Sequence, residues 1–340
     1  MIEVGLDIGY LKTAIKAEGK IIIFPSYYRS WEPSLLKLPF YATVESPFGG
    51  YERAMEIHIE GLGDFAVGWL ALLQDGVNIP LIAKSFSFSR ERVLPLFLGG
   101  MIELLPSGGE LSITTALPIR WLSEEEKLTS ILTGEHKVSR IGTKEMAVFN
   151  VKNVRVFPQP LGALATFILD DKGKARNTVL LNSTVLVVDI GGRTTQSILV
   201  KSLTSSRARC FQLDLALIDA YSEIVRDLEN QFGLTDYNPY SIWPVIVKRS
   251  VKVKGKPVSI QRILDSRLSF LAARIIDFLH SHYGELADVD YLIFTGGGSS
   301  ALKPYLRAHF RDKEWCQFLP NPIMANVEGY YRLGLFLSEG

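Results

Sequence analysis

Two short runs share one plan. Asp7-Ile8-Gly9 and Asp189-Ile190-Gly191-Gly192 each follow an apolar stretch and lead into small polar residues. A third run, Thr295-Gly296-Gly297-Gly298-Ser299, also follows an apolar stretch. Glycine lets backbone N–H groups approach phosphate oxygens without a Cβ in the way, and threonine hydroxyls add donors. Thr13 lies four residues past Gly9, and Thr194 and Thr195 lie three and four past Gly191. An aspartate would repel phosphate directly. The chemistry that suits Asp7 and Asp189 is holding Mg2+, through water, where the ion bridges the β- and γ-phosphates of a nucleotide. Any one of these turns reads as an ordinary structural turn, but three at strand ends, two with a repeated aspartate, point to a nucleotide site. No Walker A pattern fits, since GGGSSALK lacks the spacer before Gly-Lys, and no dinucleotide fingerprint opens a helix near the N-terminus.

The elements that would carry these turns can be read from pattern. MIEVGLDIG and TAIKAEGKIIIFPS read as a hairpin turning at AEGK, and GDFAVGWLALLQDG runs from strand into a short helix. SRERVLPLFLGGMIELLPSGG has helical spacing, with Ser89 as cap and Pro106–Gly109 as stop. ELSITTALPI is a strand, and LSEEEKLTSILTGE a helix opened by Ser123 and its following carboxylates. After residue 174 the plan restarts: LLNSTVLVVDIGGRTTQSILVKS repeats the apolar–Asp–Ile–Gly order of the N-terminus, a long-range duplication. A long helix in LALIDAYSEIVRDLENQFG, a basic hairpin, a helix in SRLSFLAARIIDFLHSHYG, and strand–glycine loop–helix in VDYLIFTGGGSSALKPYLRAHF follow. The C-terminus is helical. The fold class is α/β with two similar lobes, residues 1–165 joined by a C-terminal helix at 321–340, and residues 166–320. The ligand is expected in the cleft between them.

Composition narrows the partners. The 340 residues carry a net charge of +1, so no global field announces nucleic acid or an anionic membrane. Cys210 and Cys316 are too few for a disulfide framework or thiolate metal site. The apolar stretch 93–106 is interrupted by Pro and Gly and too short to span a bilayer, and no leader pattern opens the chain. A cytoplasmic location follows as the expectation. His280 and His282, two apart on a helix, point to different faces and make no metal pair. The run VKRSVKVKGK, with Lys248, Arg249, Lys252, Lys254 and Lys256, reads as a solvated hairpin. The aromatics of FPSYYRSWEP fit either the core or a subunit contact. No G-x-S-x-G elbow or Cys/His pair marks a covalent nucleophile. Residue chemistry alone leaves FPQPLG, with Gln159, balanced between a proline-stiffened turn and a functional loop.

The set GLDIGYLKTAIK, FPQPLGAL, VVDIGGRTTQ and IFTGGGSSAL resembles the five-part ATPase site of the actin, sugar kinase and heat-shock chaperone superfamily. Within it, FPS at 24–26, FAVGWLA at 65–71, ITTALPI at 113–119, LTGEHKVSRIG at 132–142 and PIMANVEGYYRLG at 322–334 resemble the ParM and archaeal actin-like plasmid-segregation proteins. The resemblance runs from about residue 2 to residue 335, in order throughout.

It implies an actin-like ATPase fold of two duplicated ribonuclease H-like lobes, with ATP or ADP and Mg2+ as ligands. Asp7 and Gly9, with Tyr10, Lys12 and Thr13, match the first phosphate loop. Asp189, Gly191, Gly192, Arg193, Thr194 and Thr195 match the second. Gly296, Gly297, Gly298 and Ser299 match the adenosine motif, and Glu223 and Arg226 are candidates for ribose or base contacts. Asp7 and Asp189 are the metal candidates. Gln159 falls where relatives place the residue that positions the attacking water, so the resemblance tips its reading to function. Arg193 fits the archaeal pattern G-x-R-T-T and is open to pairing with a protein group instead of phosphate. The family usually has a carboxylate, or histidine in actin, where this chain has Gln196, a departure that fits slow hydrolysis.

The function implied is a polymerising ATPase whose heterologous head-to-tail contacts build filaments. Its self-assembly would serve plasmid DNA through an adaptor, without direct DNA contact and without a membrane. A small-molecule kinase would need a spare base near the γ-phosphate in a substrate-like insertion, and the length leaves little room for one. A non-polymerising ATP-binding scaffold is the other alternative. A chaperone is disfavoured because no peptide-binding domain follows.

Overall fold

A computed structural model describes residues 1–32, 55–73, 88–176, 179–202, 204–240, 242–311 and 314–339. The chain divides into two compact units, Met1–Arg176 with Asn326–Gly340, and Asn177–Ala325.

The first unit opens with β1 (Ile2–Ile8), β2 (Lys12–Ala17) and β3 (Lys20–Pro25), an antiparallel meander whose second turn is the expected AEGK. Then come β4 (Tyr28–Ser30), β5 (Met55–Ile59), β6 (Gly63–Val67), α1 (Trp69–Leu73), α2 (Arg90–Leu104), β7 (Gly108–Leu117), α3 (Glu125–Leu132), β8 (Gly134–Arg140), β9 (Met146–Pro158) and α4 (Pro160–Ile168). The end of the helix expected in GDFAVGWLALLQDG, residues 74–76, lies outside the described residues.

The second unit holds β10 (Thr184–Ile190), β11 (Thr195–Lys201), β12 (Cys210–Leu213), α5 (Leu217–Phe232), α6 (Trp243–Lys248), β13 (Ser250–Val253), β14 (Lys256–Ser259), α7 (Gln261–Tyr283), β15 (Tyr291–Thr295), α8 (Gly297–His309) and β16 (Cys316–Phe318). The last helix, α9 (Ala325–Glu339), starts later than residue 321 and packs with the first unit.

The two main sheets have the same plan. The smaller runs β12-β11-β10-β15-β16; the larger runs β3-β2-β1-β7-β9 and continues through β8-β5-β6-β4. In both, the leading strand pairs antiparallel with the second and the second with the third, while the remaining two strands join in parallel. The duplication read from two Asp-Ile-Gly runs therefore extends over five strands in each unit. The larger sheet adds an antiparallel flank, β8-β5-β6-β4, in the first unit.

Burial explains why β1 and β10 read as unbroken apolar runs. Both are buried along nearly their whole length, as central strands covered on two faces must be. Val4, Leu6, Ile15, Phe24, Leu94 and Phe97 belong to one core, and Leu186, Val188, Ile224, Leu268, Ile275 and Phe294 to the other. Tyr27 and Tyr28 are buried, so these two aromatics of FPSYYRSWEP are core. The helix expected to begin at Ser123 begins one step later. A 3-10 turn over Ile119–Glu124 comes first and leaves Glu124 as the N-cap of α3.

Helix α9 is fixed to the first unit by close approach and by charge. Gly329 crosses Gly162 of α4 so tightly that a Cβ at 329 would overlap the Gly162 carbonyl. Glu328 accepts from Lys16 Nζ at 2.5 Å and from Arg332 Nε at 3.0 Å. Burial alone would raise the Glu328 carboxyl, but these two cations outweigh it and hold it below its ordinary range. Glu328→Gln is expected to cost about 2 kcal/mol at neutral pH, since it leaves two half-buried cations short of a counter-charge. A depressed carboxyl stabilises the fold above its unfolded value of 4.5 and loses that effect as pH falls through the lower folded value. Denaturant melts of both proteins should therefore differ at pH 7 and converge in acid; a gap that persists in acid contradicts the assignment.

Candidate functional site

All the strand-end candidates lie at the C-terminal ends of parallel strands, where open α/β sheets bind ligands. In the first unit, Asp7 is the penultimate residue of β1, and Gln159 directly follows β9, with β7 between. In the second, Asp189 is the penultimate residue of β10 and lies in register with Thr295, the last residue of β15.

The two aspartate turns are closed by the same backbone hydrogen bond. Gly9 N–H donates to Lys12 O at 2.9 Å, and Gly191 N–H donates to Thr194 O at 3.0 Å. Ile8 pairs with Thr13 across the first hairpin as Ile190 pairs with Thr195 across the second. This equivalence decides what the threonines do. Thr13 Oγ1 lies 2.8 Å from Ser26 Oγ, and Thr195 Oγ1 donates to Leu215 O at 2.8 Å. Both are fully buried. Each hydroxyl ties its hairpin to the next segment of its own unit. Thr194, one residue earlier, is half-buried and accepts from Gln196 Nε2 at 3.5 Å.

Charge is arranged differently at the two turns. Lys12 Nζ stands 3.3 Å from Asp7 Oδ2, so a cation and the candidate metal carboxylate share the first turn. Tyr10, within that turn, is buried. At the second turn Arg193 approaches Asp219 at 3.8 Å, and Asp219 also accepts from Ala216 N–H at 2.9 Å at the start of α5. Ile218 N–H donates to Gly192 O at 2.8 Å, bringing that helix start against the turn. Opposite Asp189 on β11 sits Gln196, 2% exposed, on the same face because directly paired residues share one. The equivalent place opposite Asp7 is Ala14.

The glycine run has two structural members and one with room. Gly296 has φ 80° and ψ 161°, a region that only glycine populates freely. A Cβ there would overlap Asp189 Oδ1 and the Ile190 carbonyl, and a Cβ at Gly298 would overlap Ile190 Cγ2. At Gly297, the first residue of α8, the nearest atom to a Cβ is Ile323 Cγ1 at 3.9 Å. Ser299 is buried and its hydroxyl donates to Gly296 O at 2.8 Å, closing the first turn of α8.

Glu223 on α5 is held by two arginines. Arg226 donates to it at 2.6 Å, and Arg267 from α7 lies 3.7 Å away while forking onto Asp227 at 2.6 and 2.7 Å. Donating to Asp227 raises the Arg267 guanidinium above its ordinary value. A ribose reaching Glu223 would compete with Arg226.

Each unit offers one carboxylate of the hard type that suits Mg2+, Asp7 and Asp189, 6% and 5% exposed, near the end of its leading strand. Thr295 Oγ1, in register with Asp189, is buried without a hydrogen-bond partner among the described residues. No group of three or more His, Cys, Asp or Glu residues that could hold a metal ion stands among the described residues. No described helix is long and apolar enough to cross a membrane.

Gln159 is anchored through its backbone. Its N–H donates to Leu117 O at 3.1 Å, and its carbonyl accepts from Gly162 N–H at 3.1 Å and from Tyr330 Oη at 3.0 Å. Sequence reasoning missed Ser26, Leu215 O and Asp219, which hold the turns from outside. Their signal lies in pairing between distant segments rather than in any local pattern.

Comparison with known proteins agrees with this architecture. Residues 5–162 match the model of the actin-like proteins' N-terminal domain, and residues 187–308 match that of the archaeal actin homologue MreB-like C-terminal domain. No curated protein sequence matches. A 15-stranded ParM filament from Clostridium botulinum superposes with TM-score 0.77 at 19% identity, covering 98% of each chain. Ta0583, an archaeal actin homologue in complex with ADP, superposes with TM-score 0.72 at 23% identity over 97% of this chain and 98% of its own. The apo ParM protein of psk41 gives 0.72 at 17%, over 99% and 98%. The fold is thus the two-lobe actin-like one, and the chain belongs to the actin-like protein family, pairing an actin-like N-terminal domain with an archaeal MreB-like C-terminal domain.

Proposed function

We propose that this protein binds and hydrolyses ATP with Mg2+ and assembles head to tail into filaments whose stability depends on the nucleotide. The observation that carries the reading is the repeated turn: an aspartate at the end of each leading strand, followed by a glycine turn closed by the same backbone hydrogen bond. Duplicated turns of this kind suit a polyphosphate, which offers oxygens on both sides of the transferred group.

In this reading Asp7 and Asp189 are the residues that would hold Mg2+. The N–H groups of residues 192–194 and the Lys12 ammonium take phosphate oxygens, and Lys12 leaves Asp7 to do so. The backbone of Gly296–Gly298 faces adenosine, with Glu223 at the ribose. Gln159 orients the attacking water by hydrogen bonding, a task an amide performs without acting as a strong base. Mg2+ held there would supply positive charge to offset the negative charge that develops during transfer. Gln196 supplies no second base beside Asp189, which fits slow turnover. Support for the ligand comes from the ADP complex of Ta0583, and support for self-assembly from the ParM filament. The task proposed is positioning plasmid DNA in the cytoplasm through an adaptor protein, with no direct DNA contact by this chain.

Calorimetric titration and phosphate release test the chemistry. Saturable Mg-ATP binding with slow phosphate release is expected, and Asp189→Asn should lower release by about 10²-fold. ADP that forms only on adding a sugar or another hydroxyl acceptor, with the phosphoryl group on the acceptor and none released, would replace this reading with a kinase.

A further inference from the structure

His280 and His282 point apart, but His280 does not stand alone. It lies near the C-terminal end of α7, and His309 ends α8, the helix packed beside it. The two Nε2 atoms face each other at 3.2 Å. We propose that His280 and His309 form a binding site for a divalent transition ion of the zinc class, clamping the ends of α7 and α8 together.

Three observations carry the site. The first is its bite. Two nitrogens bound at about 2.0–2.1 Å to one tetrahedral ion stand about 3.3 Å apart, and the Nε2 atoms already stand at that spacing. The second is the tautomer. His280 Nδ1 lies 2.9 Å from the Gly284 carbonyl, which can only accept, so Nδ1 carries the proton and Nε2 presents its lone pair. A backbone acceptor behind a histidine is the arrangement that orients imidazole ligands. In the metal-free protein His309 Nε2–H donates to that lone pair; the ion takes the place of the shared proton, and the His309 proton moves to Nδ1. The third is access and charge. His309 is exposed and His280 half-buried, so water can complete the sphere. Asp277 stands one turn before His280 on α7. Asp277 leaves negative charge beside the incoming cation.

Borderline ions fit this donor set, and Mg2+ does not, because neutral imidazole suits zinc, nickel and copper while magnesium takes oxygen. The site is therefore chemically separate from the aspartate turns, and its test needs no nucleotide. Zn2+ is titrated calorimetrically into the full-length protein at pH 7.5 without nucleotide, beside His280→Ala, His309→Ala and His282→Ala, with a thermal melt of each. The wild type and His282→Ala should bind one Zn2+ at this site and melt at a higher temperature with Zn2+ than without it. His280→Ala and His309→Ala should each lose that binding and the melting shift. His309→Gln guards against a folding defect, since it keeps a polar side chain at an exposed helix end; it should melt like the zinc-free wild type and still fail to bind. Zn2+ binding that survives in both His280→Ala and His309→Ala, or its absence in the wild type, overturns the proposal.

Discussion

Replacing Gln159 with alanine is expected to leave Mg-ATP affinity within about two-fold and to slow phosphate release by about 10²-fold, the usual contribution of a group that positions a reacting proton or water. Gln159 N–H donates to Leu117 O and its carbonyl accepts from Gly162 N–H and Tyr330 Oη, three backbone bonds that alanine keeps. A thermal melt of the variant, run beside the kinetics, separates lost chemistry from lost fold. Binding and single-turnover hydrolysis, measured side by side, check it. Unchanged hydrolysis would remove Gln159 from its assigned role and revive the plain reading of FPQPLG as a stiff turn.

The second large effect is a contrast between neighbours. Gly296→Ala should destabilise the protein by about 3 kcal/mol or more, because it combines overpacking with a backbone region closed to other residues. The added methyl would meet Asp189 Oδ1 and the Ile190 carbonyl, so nucleotide binding should fail with the fold. Gly297→Ala, one residue on, meets nothing closer than Ile323 at 3.9 Å and sits at the first position of α8, where alanine is the better residue. Its melt should match or slightly exceed that of the wild type. If adenosine packs on this backbone, Gly297→Ala should weaken Mg-ATP by about ten-fold while leaving the fold intact, since one methyl in a packed contact is worth about 1–3 kcal/mol. Denaturant melts with calorimetry on both variants read the difference. Equal stability of the two would contradict the geometry at Gly296, and unaltered binding by Gly297→Ala would move the adenosine elsewhere.

The turns were legible from sequence because their physics is local. Gly9, Gly191 and Gly296 are needed where the chain reverses or approaches another backbone, and an aspartate near the end of an apolar strand is conspicuous. What the hydroxyls do was not local. Thr13 and Thr195 are polar residues beside a glycine turn, which reads as phosphate chemistry, yet their partners Ser26 and Leu215 come from later segments. The same limit hid the strand order. Nothing in residues 55–67 or 134–140 says that β8-β5-β6-β4 extends the sheet, because pairing across intervening segments leaves no periodic mark. It also hid the histidine pair. Spacing of two on a helix correctly parted His280 from His282, but only helix packing brings His309 to His280. Ser123 lost its capping role for a local reason: the 3-10 turn after Pro118 delays α3 by one step.

If nucleotide controls self-assembly as proposed, sedimentation will show it. The protein is spun at increasing concentration with Mg-ATP, with Mg-ADP and without nucleotide. A sharp critical concentration is expected in Mg-ATP, with pelleted protein that returns to the supernatant as phosphate is released, and a clearly higher critical concentration in Mg-ADP. Protein that stays in the supernatant under all three conditions while still hydrolysing ATP would contradict it.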